Sequence, residues 1–376
     1  MRRKKILVII GTRPEVIKTA PVIYELQNKP WAEVKIVATE QHKELLEQML
    51  NVFCLNPQIK LSLMKENQSL SELTSSAINK LNEIFQKEKP DLVLAQGDTT
   101  TVMATAVVSF YQKIPFGHIE AGLRSGDLFN PFPEEFNRIV ADRVATFNFA
   151  PTDKAKLNLI REGVDPKTIY VTGNTVIDAL FYTLENLIKE KSYRNNIGMN
   201  LDNQKLILIT LHRRESFGEP LKEICEALKE VALMRKDIKI VYPVHPNPNV
   251  RKTVFDSLSN IQNILLLEPL DYVNFVGLLR ESYFIITDSG GVQEEAPALG
   301  KPVLVVRDKT ERIEAVEHGV VKVIGRKKET IVKEVLTLLN DEAEYKKIAK
   351  GFSPYGDGKA SKRIVKIIEN YFFNKK

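Results

Sequence analysis

The sequence predicts an α/β protein built from two Rossmann-like domains in series. Short β-branched runs alternate with longer helical patterns along all 376 residues, the signature of parallel sheets with crossover helices. That length suffices for two sizeable cores, and the motifs rich in glycine, acid and base fall where strands hand over to loops. In the first domain strands are expected at Lys5–Ile10, Glu33–Ala38, Asp91–Ala95, Pro115–Ile119, Phe147–Ala150 and Ile169–Val171. A second series follows at Leu206–Leu211, Ile238–Val244, Ile264–Leu267, Phe284–Thr287, Pro302–Val306 and Val320–Ile324. Between them, around Asn174–Leu201, a helical stretch leads into the polar segment Lys191–Gly198, where the break is placed. Two such domains suggest a ligand between the carboxyl ends of both sheets.

Composition narrows the function. The chain is 43% hydrophobic and 27% charged, and 54 Lys+Arg against 48 Asp+Glu give a net charge of +6. This mild excess suits an anionic small molecule and lacks the basic blocks of a nucleic-acid groove. The only cysteines, Cys54 and Cys225, support neither a disulfide framework nor a cysteine metal site, which points to the cytoplasm. Met1–Lys5 followed by Ile6–Ile10 has the charge of a signal n-region, but the apolar run stops at Gly11. It is too short for an h-region or a membrane span and reads as a first buried strand. The five histidines have no zinc-binding spacing, and no metal is expected.

The most informative segment is Thr287-Asp-Ser-Gly-Gly-Val-Gln-Glu-Glu295, a glycine pair where an apolar strand turns into a helix. Without Cβ atoms, Gly290 and Gly291 let a pyrophosphate approach unpaired N–H groups at the helix start, where the macrodipole also favours an anion. Glu294 and Glu295, one turn on, can accept hydrogen bonds from ribose hydroxyls. The same segment also fits a plainly capped helix with a tight turn. Gly11-Thr-Arg-Pro-Glu15 follows the first strand, with Lys18 one turn into the next helix, so Arg13 and Lys18 can reach a diphosphate. Cations there oppose the helix dipole and need another reason to be present.

Gln96-Gly-Asp-Thr-Thr-Thr101 follows the third expected strand, and Asp98 is either a helix cap or a site carboxylate. His118-Ile-Glu-Ala-Gly-Leu-Arg124 ends the next and brings Glu120 to the same crevice edge. Pro131–Arg138 opens a helix in which Glu134, taken alone, is a partner of the dipole. Thr210-Leu-His-Arg-Arg-Glu-Ser216 offers His212 as a donor or acid amid basic neighbours. Pro243–Pro248, with His245, reads as a structural turn.

Taken together these segments resemble the non-hydrolysing UDP-N-acetylglucosamine 2-epimerases over nearly the whole chain. The matching residues are Gly11–Glu15, Gln96–Thr101, His118–Arg124, Pro133–Glu135 with Asn137-Arg138, Thr172–Thr175, His212–Glu215, Glu268-Pro269 with Asp271-Tyr272, Asp288–Pro297 and Thr310–Arg312. The resemblance implies a glycosyltransferase-B-like fold with an interdomain active-site cleft, a homodimer, and no cofactor. It divides the chain into a domain over 1–175, a UDP-binding domain over 176–358, and a final helix in 359–376, near Lys362–Phe373, that returns to the first domain. It implies reversible interconversion of UDP-N-acetylglucosamine and UDP-N-acetylmannosamine, with neither nucleic acid nor membrane as partner.

By resemblance, Asp98, Glu120 and Glu134 are the acid/base candidates and His212 supports departure of the diphosphate. Arg13, Lys18, Ser289, Gly290, Gly291, Glu295 and Arg312 become nucleotide contacts, with Phe275 beside the uracil. Leu270 stands where some members have Gln, so its contact must come from the backbone. Many members bind a second UDP-N-acetylglucosamine as activator through a Gln-His segment and an arginine. Here Gln41-His42 is retained while Asn67 takes the arginine position, so that activation is not carried over.

The carboxylates have a chemical reason. The sugar's C2 proton is not next to a carbonyl, and direct abstraction leaves an unstabilised carbanion. If the C1–O bond to UDP breaks first, positive charge on the ring makes that proton acidic enough for a carboxylate. The intermediate is 2-acetamidoglucal, and returning UDP with a proton on the opposite face gives the epimer. The alternatives are a hydrolysing 2-epimerase releasing N-acetylmannosamine and UDP, a glycosyltransferase of the same fold, and a UDP-sugar-binding sensor, which needs no clustered acids.

Overall fold

The computed structural model describes residues 2–39, 43–64, 68–188, 201 and 204–374. Gln41, His42, Asn67 and the polar segment 191–198 lie outside the described residues. The chain forms two compact units, one of Met1–Phe181 with Tyr355–Lys376 and one of Tyr182–Pro354. Among the described residues no helix is long and apolar enough to cross a membrane.

Unit one holds a seven-stranded parallel sheet: β1 (Lys4–Ile10), β2 (Ala32–Ala38), β3 (Ile59–Lys60), β4 (Leu92–Gln96), β5 (Phe116–Ile119), β6 (Phe147–Ala150) and β7 (Ile169–Val171). Their spatial order is β3-β2-β1-β4-β5-β6-β7, with β1 paired to both β2 and β4. Ile6–Ile10 are almost wholly buried because helices cover both faces of the sheet, which explains their unbroken apolar run. Helices α1 (Arg13–Gln27), α2 (Lys43–Val52), α3 (Leu70–Glu88), α4 (Thr100–Tyr111), α5 (Glu134–Val144), α6 (Asp153–Arg161) and α7 (Thr175–Tyr182) alternate with these strands. The sequence reading lacked β3, whose two residues are too few to show a period.

Unit two repeats the plan with β8 (Lys205–Thr210), α8 (Glu219–Met234), β9 (Ile238–Pro243), α9 (Pro248–Leu258), β10 (Ile264–Leu267), α10 (Tyr272–Glu281), β11 (Phe284–Thr287), α11 (Gly290–Ala298), β12 (Val303–Val305), α12 (Ile313–Glu317), β13 (Val321–Val323), α13 (Lys328–Asn340) and α14 (Glu342–Ile348). The strand order is β10-β9-β8-β11-β12-β13, again all parallel. Ile207, Ile209, Tyr242, Phe284, Ile286 and Leu304 form its core with the inner faces of α8 and α13.

The last helix, α15 (Ala360–Phe373), belongs to unit one. Asp178 of α7 accepts hydrogen bonds from the Ala360 and Ser361 N–H groups, at 3.1 and 2.8 Å, and from Ser361 Oγ at 2.5 Å. Trp31 donates to Glu369 at 2.8 Å and stacks edge-on with Phe372 and Phe373. With Asp178 tied to α15, α7 stays with unit one as far as Phe181.

Candidate functional site

Each sheet reverses its winding at one place, between β1 and β4 in unit one and between β8 and β11 in unit two. In doubly wound sheets that reversal opens a crevice at the carboxyl ends of the strands. The turns at these ends carry Gly11–Arg13, Gly97-Asp98, His212 and Asp288–Gly291.

Glu120 follows β5 with φ of 70°, a left-handed conformation costing a residue with a Cβ about 1–3 kcal/mol unless its surroundings hold it. They do. Lys18 Nζ lies 2.6 and 2.7 Å from its two carboxylate oxygens, Asn174 Nδ2 donates at 3.0 Å, and Gln96 Nε2 donates to Oε2. Gly122 completes the turn with φ of 84°, where a Cβ would run into the Ala155 carbonyl. Lys18 comes from α1, Gln96 from the end of β4 and Asn174 from the loop before α7, so three elements fix one carboxylate.

Below this turn lies a charged network. His118 Nδ1 is 2.5 Å from Asp142 Oδ1 and its Nε2 is 2.7 Å from the Gly97 carbonyl, so both ring nitrogens face acceptors. Burial opposes the imidazolium, but Asp142 prevails and holds the His118 pKa above its ordinary value. Asp142 also takes Arg124 Nη2 at 2.8 Å and the Gly122 N–H at 3.1 Å. Burial pushes its carboxyl up, and the two cations more than reverse this. The network ties Gly97, next to Asp98, to Gly122, next but one to Glu120.

Asp98 faces Arg138, whose Nη2 and Nε approach Oδ2 at 2.5 and 3.0 Å, while Asn137 donates to the Asp98 carbonyl at 2.9 Å. Arg138 also pairs with Glu135 at 2.9 Å. Glu134 opens α5, and its buried Oε2 accepts no hydrogen bond among the described residues, a costly state for a carboxylate oxygen. Arg13 starts α1.

In unit two Asp288 is wholly buried and accepts from the N–H groups of His212 (3.1 Å) and Arg213 (3.0 Å) and from Ser216 Oγ (2.9 Å). His212 Nδ1 lies 3.2 Å from Asp288 Oδ1, which orients the ring. Burial lowers the His212 pKa, and Arg213, His245 and Arg307 reinforce this against Asp288. Ser289 stands at the N-cap position of α11 without a side-chain capping bond, and Gly290 and Gly291 are the helix's first residues. A Cβ on Gly290 would crowd the Arg312 guanidinium at 3.2 Å, whereas Gly291 is open. Arg312 Nε donates to Glu294 at 2.6 Å, and Glu295 is nearly buried beside it in sequence. Leu270 precedes α10 and Phe275 sits within it, both half-buried.

The structure thus joins Lys18 to Glu120 and Arg312 to the Gly290 turn. Asp98 and Glu120 have separate partners, connected through His118 and Asp142. The sequence reading gave no role to Glu15, Gln96, His118, Asp142 or Asn174. Glu15 alone had a local signal, its three-residue spacing from Thr12 that marks a capping box.

The geometry defines an α/β chain with two Rossmann-like units, of the glycosyltransferase-B-like fold class, each bearing polar residues at its reversal of strand order. Residues 24–369 match the family described as UDP-N-acetylglucosamine 2-epimerase. A UDP-N-acetylglucosamine 2-epimerase of Campylobacter jejuni is 49% identical over 372 residues, covering 97% of both chains. A crystal structure of UDP-GlcNAc 2-epimerase from Neisseria meningitidis bound to UDP-GlcNAc is 47% identical with a TM-score of 0.88, covering 97% of this chain and 100% of that one. The glycosyltransferase of kitacinnamycin, at 13% identity and a TM-score of 0.68 over 98% of this chain and 99% of that one, shares the fold alone. The chain belongs to the UDP-N-acetylglucosamine 2-epimerase family.

Proposed function

We propose that this protein interconverts UDP-N-acetylglucosamine and UDP-N-acetylmannosamine by eliminating UDP and adding it back, without hydrolysis. The observation that carries this reading is Glu120, a carboxylate held in a strained backbone conformation by Lys18, Gln96 and Asn174. Asp98 and Glu134 stand on neighbouring turns of the same unit. The nucleotide engages unit two: the α11 N-terminus and Arg312 hold phosphate, Glu295 the ribose, Phe275 and the Leu270 backbone the uracil. The sugar is assigned to Asp98, Glu120 and Glu134 of unit one.

Reaction begins as the C1–O bond breaks and its electron pair leaves with UDP. A carboxylate among Asp98, Glu120 and Glu134 takes the C2 proton, and the C–H electrons form the C1=C2 bond of 2-acetamidoglucal. UDP then attacks C1 while a second acid returns a proton to the opposite face of C2. Arg13 and Lys18 neutralise the diphosphate, and transfer of Lys18 from Glu120 to the phosphate releases that carboxylate for the proton.

His212 has its own test. With Nδ1–H on Asp288 and a lowered pKa, the free imidazole is neutral near pH 7, and Nε2 faces outward as an acceptor. A bound diphosphate favours the imidazolium, so UDP binding at about pH 7 should take up a proton, seen by calorimetry in buffers of different ionisation enthalpy. His212→Ala should abolish that uptake; uptake unchanged in the variant would remove His212 from the diphosphate.

Heavy water tests the reaction itself. With UDP-N-acetylglucosamine and no added cofactor, UDP-N-acetylmannosamine should form with deuterium at C2, and recovered substrate should gain it too. Protium retained at C2 of the epimer would sink the elimination mechanism. Free N-acetylmannosamine and UDP as main products would mark a hydrolysing enzyme.

A further inference from the structure

The chemistry above gives no part to Glu15, a buried acid beside the turn that follows β1. Glu15, 1% exposed in the first turn of α1, accepts through one oxygen from the Gly11 and Thr12 N–H groups at 2.5 and 3.0 Å. The bond from Thr12, the N-cap residue, belongs to a capping box, and the bond from Gly11 lies outside it. The other oxygen accepts from Thr99 Oγ1 at 2.7 Å, and that bond belongs to no capping motif. It crosses from the turn after β1 to the turn after β4, the two that flank the reversal of strand order, and Thr99 directly follows Asp98.

We propose that Glu15 is a positioning residue for the epimerisation, tying the β1–α1 turn to the β4–α4 turn and so setting Asp98 against Arg13 and Lys18. The inference rests on the proposed function, since only that chemistry needs these turns in fixed relation.

A capping role alone does not explain the acid. Burial raises the Glu15 carboxyl to about 7 despite the lowering effect of Thr99, Gly11 and Thr12, and Asp98 raises it further. The charged side chains around it are otherwise engaged: Asp98 pairs with Arg138, and Lys18, on its own helix, with Glu120. The ordinary value is 4.5. Between pH 4.5 and about 7 the native state keeps a proton that the unfolded chain releases, so stability falls over that window and stays lowered above it. Glutamine also completes a capping box and carries no such penalty. Retaining the acid therefore lowers stability, a pattern found where geometry serves activity.

The test combines three single variants and one double. Thr99→Val removes the crossing bond and should lower kcat about tenfold or more, with a smaller change in KM for UDP-N-acetylglucosamine, and Thr99→Ser should restore most of it. Glu15→Ala should lose a similar factor, and Glu15→Ala/Thr99→Val should lose less than the product of the two single losses, because the crossing bond is common to both. Glu15→Ala also removes the bonds to Gly11 and Thr12, and Thr99→Val the cap on the Val102 N–H. Glu15→Gln should melt about 3 °C or more above wild type at pH 8, with the gap closing towards pH 5. Multiplying losses in the double variant, or wild-type kcat in Thr99→Val, would overturn the proposal. A lower melting temperature in Glu15→Gln with unchanged kcat would leave Glu15 as a cap only. Deuterium incorporation by wild type is read in parallel: its absence refutes the reaction, whereas its presence with unaffected variants refutes the positioning role alone.

Discussion

Glu120→Gln should lower turnover about a hundredfold or more, the usual worth of a positioned acid or base, while the protein still binds UDP. The wild-type carboxylate accepts from Lys18, Asn174 and Gln96, and each of these three is a donor. A glutamine at 120 retains one acceptor oxygen but turns an NH₂ group towards donors, and it cannot hold a proton taken from C2. The left-handed backbone and Gly122 turn remain, so the variant should fold, and its melting curve provides the control. The proposed uridine and ribose contacts lie in unit two, and Lys18, released from the lost carboxylate, still serves the diphosphate, so UDP should bind the variant even though turnover falls. Turnover close to wild type would remove Glu120 from the mechanism.

Asp142→Ala should destabilise unit one by about 3–5 kcal/mol, since removing one partner leaves buried charges uncompensated. Asp142 is 1% exposed and serves His118, Arg124 and the Gly122 N–H together. The gap from wild type should depend on pH. The raised His118 pKa adds stability that is fully present below the ordinary value of 6.5 and is lost as pH rises through the folded value. The lowered Asp142 pKa adds stability present above the ordinary 3.8 and lost as pH falls through the folded value. Denaturant unfolding should therefore show the widest gap between about pH 4 and 6.5. A loss below 1 kcal/mol, or one that does not vary with pH, would contradict an imidazolium–carboxylate pair.

Periodicity and glycine placement were enough to read every strand of both sheets except the two-residue β3, because a buried parallel strand must be a continuous apolar run and a strand-to-helix turn needs small residues at its bend. Gly290 and Gly291 were legible for that reason as the start of α11: a strand-to-helix turn is local, and a few consecutive residues state it. Asp98 and His212 were legible as residues at strand ends, though each kept an alternative. Long-range pairing lay beyond such reading. Glu120 meets Lys18 from 102 residues earlier and Asn174 from 54 residues later, and His118 meets Asp142 across 24. No periodicity encodes those partners; they come together because β1, β4 and β5 lie side by side in the sheet. Burial is likewise a property of the folded chain. Glu15 looks like any first-turn acid in the sequence, and only the packing around Gly11 and Thr99 withdraws it from water and raises its pKa to about 7.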